Sequence, residues 1–242
     1  QNYLTIAHPN TTFHFIYVDN FDGPNSGPGY SLLCCKEKLN KPFFFVSCDT
    51  LWHGDVIETS FNWLGVSKVT EDESERLCNV EIEPRNQQVI SLHDKIKAFG
   101  ENFRAFTGLC FIKDYPTFWD GLEDPEMITG EHQISSGLKR LVEKSEIKAI
   151  EIEWDDVGTI ENYREIMNRY EPYDFSKTNE FLYIVNGKVI KFFADNDIAD
   201  KRVQRARMNS KVFPFIKKQV NQFYAYDFHP GKTLYEVNNT YI

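Results

Sequence analysis

The stretch Lys41-Pro42-Phe43-Phe44-Phe45-Val46-Ser47-Cys48-Asp49-Thr50-Leu51-Trp52 decides how this chain is read. Phe43 to Val46 are four apolar residues in a row, the composition of a strand buried on both faces. The run breaks at Ser47 to Thr50, which places Asp49 at the C-terminal end of the strand. Open α/β sheets bind ligands outside that end of their strands. A carboxylate there is costly to bury unpaired. Asp49 is therefore a candidate metal ligand, and the alternative is a strand-end aspartate that caps the next turn.

Working outward, Thr12 to Val18 alternates around Phe13, Phe15 and Tyr17 and predicts a strand. Asp19 to Gly29 carries Gly23, Gly27 and Gly29, a loop whose backbone can approach a ligand closely. Ser31 to Leu39 sets Leu32, Cys35 and Leu39 on one helical face. Strand, Gly-rich loop, helix and buried strand predict a βαβ unit and hence a parallel sheet. Further strands are expected at Ser60–Gly65, Cys78–Ile82, Val89–Leu92 and Ala105–Ile112. The last is interrupted by Gly108, which marks a bulge or a close backbone approach. Tyr115–Leu122 and Ser135–Lys144 have helical spacing. Ala149–Trp154 reads as a strand running into Asp155-Asp156-Val157-Gly158-Thr159, with Thr159 as the N-cap of a helix through Tyr170. Asp156 thus stands at a second strand-to-helix junction. Two carboxylates at two strand ends can share one divalent cation, and Mg²⁺ takes one or two carboxylates together with substrate phosphates.

Beyond residue 171 the organisation changes. Glu171–Asp174 reads as a linker. Phe181–Val185, Asn186-Gly187 and Lys188–Phe193 form a strong hairpin signal. A basic helix is expected over Ala199–Asn209, and a second hairpin over Asn221–Phe228 and Lys232–Tyr235. The predicted class is α/β. Residues 1–171 form a domain with a Rossmann-like, mainly parallel sheet and helices on both faces, and 172–242 form a small α+β lobe fragment.

The formal net charge of −9 argues against a general nucleic-acid binder but leaves open a single anionic nucleotide. No apolar run approaches the ~20 residues of a membrane span, so no membrane partner is expected. The five cysteines are odd in number, two are adjacent, and no C-x-x-C occurs. That pattern fits reduced thiols and a cytoplasmic location. The six histidines show no metal-ligand spacing. The basic run Lys201 to Lys218 contains no acidic residue and reads as a solvated face.

The order of these motifs resembles the sugar-nucleotide pyrophosphorylase (NTP-transferase) family over Thr12–Glu171. Phe45-Val-Ser-Cys-Asp49 looks like the family's strand-end segment that binds metal and nucleotide. Trp154-Asp-Asp156-Val-Gly-Thr159 is similar to its second metal signature, with valine where the family has threonine. Thr107-Gly-Leu-Cys-Phe-Ile112 resembles the glycine-containing strand beside the acceptor. Asp94-Lys95 stands at the site of a glutamate-lysine-proline element whose lysine faces phosphate. Gly27-Pro-Gly-Tyr30 stands where the family places a nucleoside-contacting loop. The family's N-terminal glycine-rich loop with Arg and Lys would precede Gln1, so the expectation is an N-terminally truncated member.

The resemblance implies an NTP coupled to a sugar-phosphate or alcohol-phosphate, with release of pyrophosphate. It implies Mg²⁺ on Asp49 and Asp156, the nucleotide at Gly27, Gly29 and Asp49, and the acceptor at Lys95 and Gly108. Asp49, Asp156 and Lys95 would be the catalytic residues. The C-terminal part resembles the small lobe of the choline-kinase/aminoglycoside-phosphotransferase-like family, with Lys191 at the position of the lysine that contacts ATP phosphates. That second resemblance favours CTP, and a role in surface-polysaccharide or lipid-headgroup precursor synthesis. The alternatives are a non-catalytic nucleotide-binding or assembly module, or part of a bifunctional small-molecule kinase.

Overall fold

The computed structural model describes residues 1–56, 58–68, 70–170 and 179–231. The chain begins with α1 (Asn2–Ala7), α2 (Pro28–Leu33), β1 (Phe43–Val46), β2 (Thr50–His53), β3 (Asn62–Ser67) and α3 (Glu71–Ser74). Next come β4 (Cys78–Glu83), β5 (Gln88–Asp94), β6 (Phe103–Ile112), α4 (Tyr115–Glu123), β7 (Met127–Ile128) and β8 (Glu131–His132). Then follow α5 (Ser135–Lys144), β9 (Ile147–Glu151), β10 (Glu153–Asp156) and α6 (Ile160–Tyr170). The last elements are β11 (Glu180–Val185), β12 (Lys188–Phe193), α7 (Asn196–Met208), β13 (Lys218–Val220) and β14 (Phe223–Asp227).

These elements form two compact units, Ile16–Pro172, and Gln1–Phe15 with Tyr173–Ile242. The division departs from the expected 1–171 and 172–242 at the N-terminus. Ile6 and Ala7 of α1 are buried against Ile190 and Ala225. Asn186 Nδ2 donates to the Ala7 carbonyl at 3.0 Å. Nothing local in the first fifteen residues announces a partner so far along the chain.

The larger unit holds a six-stranded sheet in the order β1-β6-β3-β9-β5-β4. It is mixed, not mainly parallel. Among the described residues β3–β9 is the parallel pairing, while β6 runs against β1, β3 and β4, and β5 runs against β4 and β9. The reason is the ten-residue β6, inserted antiparallel between two strands that share a direction. One sheet face packs on α4 and α5, with Phe118, Leu122, Leu138 and Leu141 fully buried. On the other, Trp63, Leu109 and Phe111 pack against Val56, Ile150 and Ile152, a cluster that draws on no helix. The expected helices on both faces are therefore not what fills this second cluster.

Three local expectations change. Thr12–Val18 forms no strand, so the expected βαβ unit is absent. Alternating side chains make a strand only where a neighbour takes the ladder hydrogen bonds. The helix expected over Ser31–Leu39 is the shorter α2, continued by turns such as Leu39 N–H to Cys35 O at 3.1 Å. β1 is an edge strand. Phe43 is buried against Phe118 and Trp119, but Phe44 and Val46 are 38% and 44% exposed, so burial on both faces does not hold along its length.

The smaller unit is a four-stranded antiparallel sheet, β11-β12-β14-β13, carrying α7. The β11–β12 hairpin turns at Asn186 and Gly187 with φ of 49° and 68°, the left-handed pair that a two-residue turn of this kind requires. β14 pairs with β12 and with β13 through Asn221-Gln222. The strand expected at Lys232–Tyr235 and the linker at Glu171–Asp174 lie outside the described residues.

Candidate active site

Asp49 leaves β1 through Ser47 and Cys48, and the chain then re-enters a ladder as β2. The break is fixed from the side by β6. Ser47 N–H donates to Gly108 O at 2.8 Å, and Thr50 Oγ1 donates to Thr107 O at 2.5 Å. β2 pairs antiparallel with β10, and the register sets Asp156 opposite Thr50. Val157 N–H then donates to the Asp49 carbonyl at 2.9 Å. Two strand ends that are 107 positions apart in the chain are thus pinned together by backbone bonds.

The two side chains follow. Gly158 N–H donates to Asp156 Oδ1 at 2.8 Å, and Asn162 Nδ2 stands 3.5 Å from Oδ2. Thr159 Oγ1 accepts from Asn162 N at 3.1 Å, the N-cap expected for α6. A Cβ placed on Gly158 would lie 3.0 Å from Asp156 Oδ1 and 3.2 Å from Asp49 Oδ2. Both carboxylates therefore face one small space, kept clear because residue 158 has no side chain. Arg76 Nη2 stands 3.9 Å from Asp156 Oδ2.

The neighbouring Asp155 turns elsewhere. Its Oδ2 is 3.0 Å from His53 Nε2 and its Oδ1 accepts from Arg169 at 3.0 Å. The His53 bond, aided by Arg169, holds the Asp155 carboxyl below the usual carboxylate range. Alternation along β10 thus separates a carboxylate locked in ion pairs from one turned to the cleft, a distinction that Trp154-Asp-Asp156 does not carry as a string.

Asp49 and Asp156 border a cleft of about 230 Å³ that is also lined by Lys95, Gly108, Arg76 and Ser135. Lys95 Nζ donates to Glu131 Oε2 at 3.2 Å, and Gln133 Nε2 donates to the same oxygen at 2.7 Å. The Asp94 side chain is 8% exposed, and its Oδ2 stands 3.2 Å from the Lys139 ammonium. Ser135 Oγ is buried and, among the described residues, has no hydrogen-bond partner. Burial, and then the adjacent Asp94, push the Cys78 thiol well above its ordinary range, so it is protonated at neutral pH.

Four of the residues singled out from the sequence, Asp49, Asp156, Lys95 and Gly108, line this one cleft. The room around Gly108 is already taken: at φ 82° its Cβ would meet Thr50 Oγ1 at 2.6 Å and Ser47 Oγ at 2.8 Å. Gly27 and Gly29 also face their own chain. A Cβ on Gly27 would lie 2.6 Å from His132 O, and one on Gly29 would lie 2.6 Å from His132 Cδ2 and 2.7 Å from Gln133 O. Only Pro28 between them lines the cleft. Lys191, in the other unit, sits on the inner strand β12 and donates to Glu180 Oε1 at 3.4 Å. Sequence reading missed Arg76, Ser135 and Gly158. Gly158 carried a signal, a small residue two positions after the strand-end aspartate; Arg76 and Ser135 carried none.

Among the described residues, no group of three or more His, Cys, Asp or Glu side chains could hold a metal ion. The donor set is two carboxylates facing a common clear space, which fits an oxygen-loving cation that keeps further positions for phosphate oxygens and water.

No family model matches the chain, and no curated protein matches it in sequence. Part of its fold is similar to that of two solved pyrophosphorylase structures. A UDP-glucose pyrophosphorylase complexed with UDP-glucose superposes with a TM-score of 0.52 at 17% identity, over 60% of this chain and 62% of that one. An apo UDP-glucose pyrophosphorylase superposes with a TM-score of 0.51 at 18% identity, over 60% of each chain. The chain thus spans about six-tenths of the length of these solved chains, and at such identities what is shared is the fold.

Proposed function

We propose that the protein is a Mg²⁺-dependent nucleotidyltransferase joining an NTP to a sugar-phosphate or alcohol-phosphate, with release of pyrophosphate. The observation that carries this reading is the convergence of Asp49 and Asp156 on the space beside Gly158, at the edge of a cleft that also presents Lys95 and Arg76. Asp49 and Asp156 would hold the ion, which when bound supplies charge neutralisation and orientation of phosphate oxygens. Such transfers need positioning and electrostatic stabilisation more than covalent chemistry from the protein. Lys95 offsets charge on the acceptor phosphate, with Glu131 and Gln133 fixing its position. Arg76 offsets phosphate charge beside Asp156. Asn162 and the Gly158 amide orient the Asp156 carboxylate. No general base is required, because the attacking phosphate oxygen is already ionised at neutral pH. It displaces pyrophosphate at the α-phosphorus.

CTP is the favoured nucleotide and surface-polysaccharide or lipid-headgroup precursor synthesis the favoured setting. Both rest on the resemblance of the C-terminal unit to a choline-kinase-like small lobe, in which Lys191 would contact ATP phosphates. The test is pyrophosphate release from each of the four NTPs, with a panel of sugar- and alcohol-phosphates, with and without Mg²⁺. Release that depends on the metal and on one acceptor supports the reading. Nucleotide binding without release from any pair replaces it with the non-catalytic binding module.

A further inference from the structure

We propose that the C-terminal half of α7 and the loop after it form a peripheral docking surface for an anionic lipid bilayer. In a chain of net charge −9, Lys201 to Lys218 contains seven Lys and Arg and no Asp or Glu. Among the described residues, Lys217 alone of these seven is ion-paired, to Asp227 at 2.8 Å. Arg205 and Arg207 in the last helical turn also offset the helix C-terminus. That role does not explain what stands among them. Met208 is 83% exposed, and Val212 and Phe215 are each 79% exposed. These side chains project from a folded support, since Val203, Ala206 and Ile216 in the same stretch are buried with Phe193 and Tyr224.

Exposed large apolar side chains interleaved in sequence with cations match the chemistry of a lipid interface. Headgroup phosphates take the cations, and the acyl boundary takes the apolar tips. A nucleic-acid site would also use the cations. It would not call for an exposed Met208 and Val212, which have no flat face on which a base can stack. No helix among the described residues is long and apolar enough to cross a membrane, and peripheral docking requires none.

The test is co-sedimentation of the whole chain with phosphatidylcholine vesicles, with and without phosphatidylserine. The protein is expected to pellet with the anionic vesicles and to be released as salt is raised. K211E with K218E lowers the partition coefficient by about tenfold or more. V212S with F215S lowers it by about tenfold with every cation intact. Circular dichroism matching wild type shows that both pairs fold. Partition onto neutral vesicles as strong as onto anionic ones, no partition onto either, or wild-type partition by both double variants overturns the proposal. Binding of a labelled single-stranded oligonucleotide without vesicle binding overturns it in favour of a nucleic-acid surface.

Discussion

The strand-end aspartates and the Gly-rich loop are both parts of the larger unit that the family resemblance ties to a nucleotide, and the structure treats them differently. Asp49 and Asp156 meet over the small space beside Gly158. Gly27 and Gly29 meet the backbone of His132 and Gln133. A carboxylate at a strand end has its position dictated by the sheet, because the strands on either side are fixed by their ladders. A loop glycine says only that something comes close. That partner is as readily the chain's own backbone as a ligand.

The contrast can be broken from its strong side first. D49N and D156N are each expected to lower kcat for pyrophosphate release by about a hundredfold or more, with denaturant midpoints close to wild type. Wild-type turnover in both would end the metal assignment. G29A should do the reverse. Its new methyl stands 2.6 Å from His132 Cδ2 and 2.7 Å from a backbone carbonyl, so a stability loss of about 1–3 kcal/mol is expected by urea titration. A G29A protein as stable as wild type, but with weakened nucleotide binding, would restore the loop to the ligand.

G158A sharpens the comparison, because this glycine borders the carboxylates rather than backbone. The methyl would press on two side-chain oxygens at 3.0 and 3.2 Å, which can swing aside. Stability should change little. The Mg²⁺ concentration for half-maximal activity should rise about tenfold, as when a metal ligand loses its supports.

The smallest effect concerns His132, the residue beneath Gly29. Burial holds its pKa below the ordinary 6.5, against an opposing bond to the Leu122 backbone. The folded ring is therefore neutral where the unfolded one begins to take a proton. This part of the stability is present above pH 6.5 and is lost as pH falls through the depressed folded value. H132Q should flatten the dependence in urea titrations at neutral and mildly acidic pH. An unchanged slope would show that the ring carries no such penalty.

Much of the element order was legible. The strands from Cys78 to Ile112, the helices Tyr115–Glu123 and Ser135–Lys144, and the Asn186-Gly187 hairpin lie where periodicity and turn chemistry put them. Strand direction was not legible. Nothing in Ala-Phe-Thr-Gly-Leu-Cys-Phe-Ile says that β6 runs against three other strands, because direction is a property of pairing and not of composition. The segment around Phe13, Phe15 and Tyr17 shows the same limit, having strand periodicity and no strand. At the site, the strand-end placement of Asp49 was legible from the apolar run before it, and that of Asp156 from an alternating strand running into a capped helix. Asp155 and Asp156 could be told apart only once the β2–β10 ladder had assigned one to His53 and the other to the cleft. Arg76 enters the site through a turn after α3, and no motif marks it.

The insertion of β6 also orders events during synthesis. β1 pairs with β6 from Phe43↔Ile112 to Val46↔Leu109, so among the described strands β1 has no ladder partner until residue 109 has been made. β3 can begin to pair with β6 only once Ala105 is available, and its other partner starts at Ile147. The Asp49 corner waits longest, until Glu153–Asp156 arrives to close on Thr50–His53. Contacts this distant in sequence make folding slow. Through that interval Phe43 to Val46 is an unpaired, uncharged apolar segment of the kind that chaperones hold. The protein should therefore mature late and together, its cleft being among the last features of the larger unit to form.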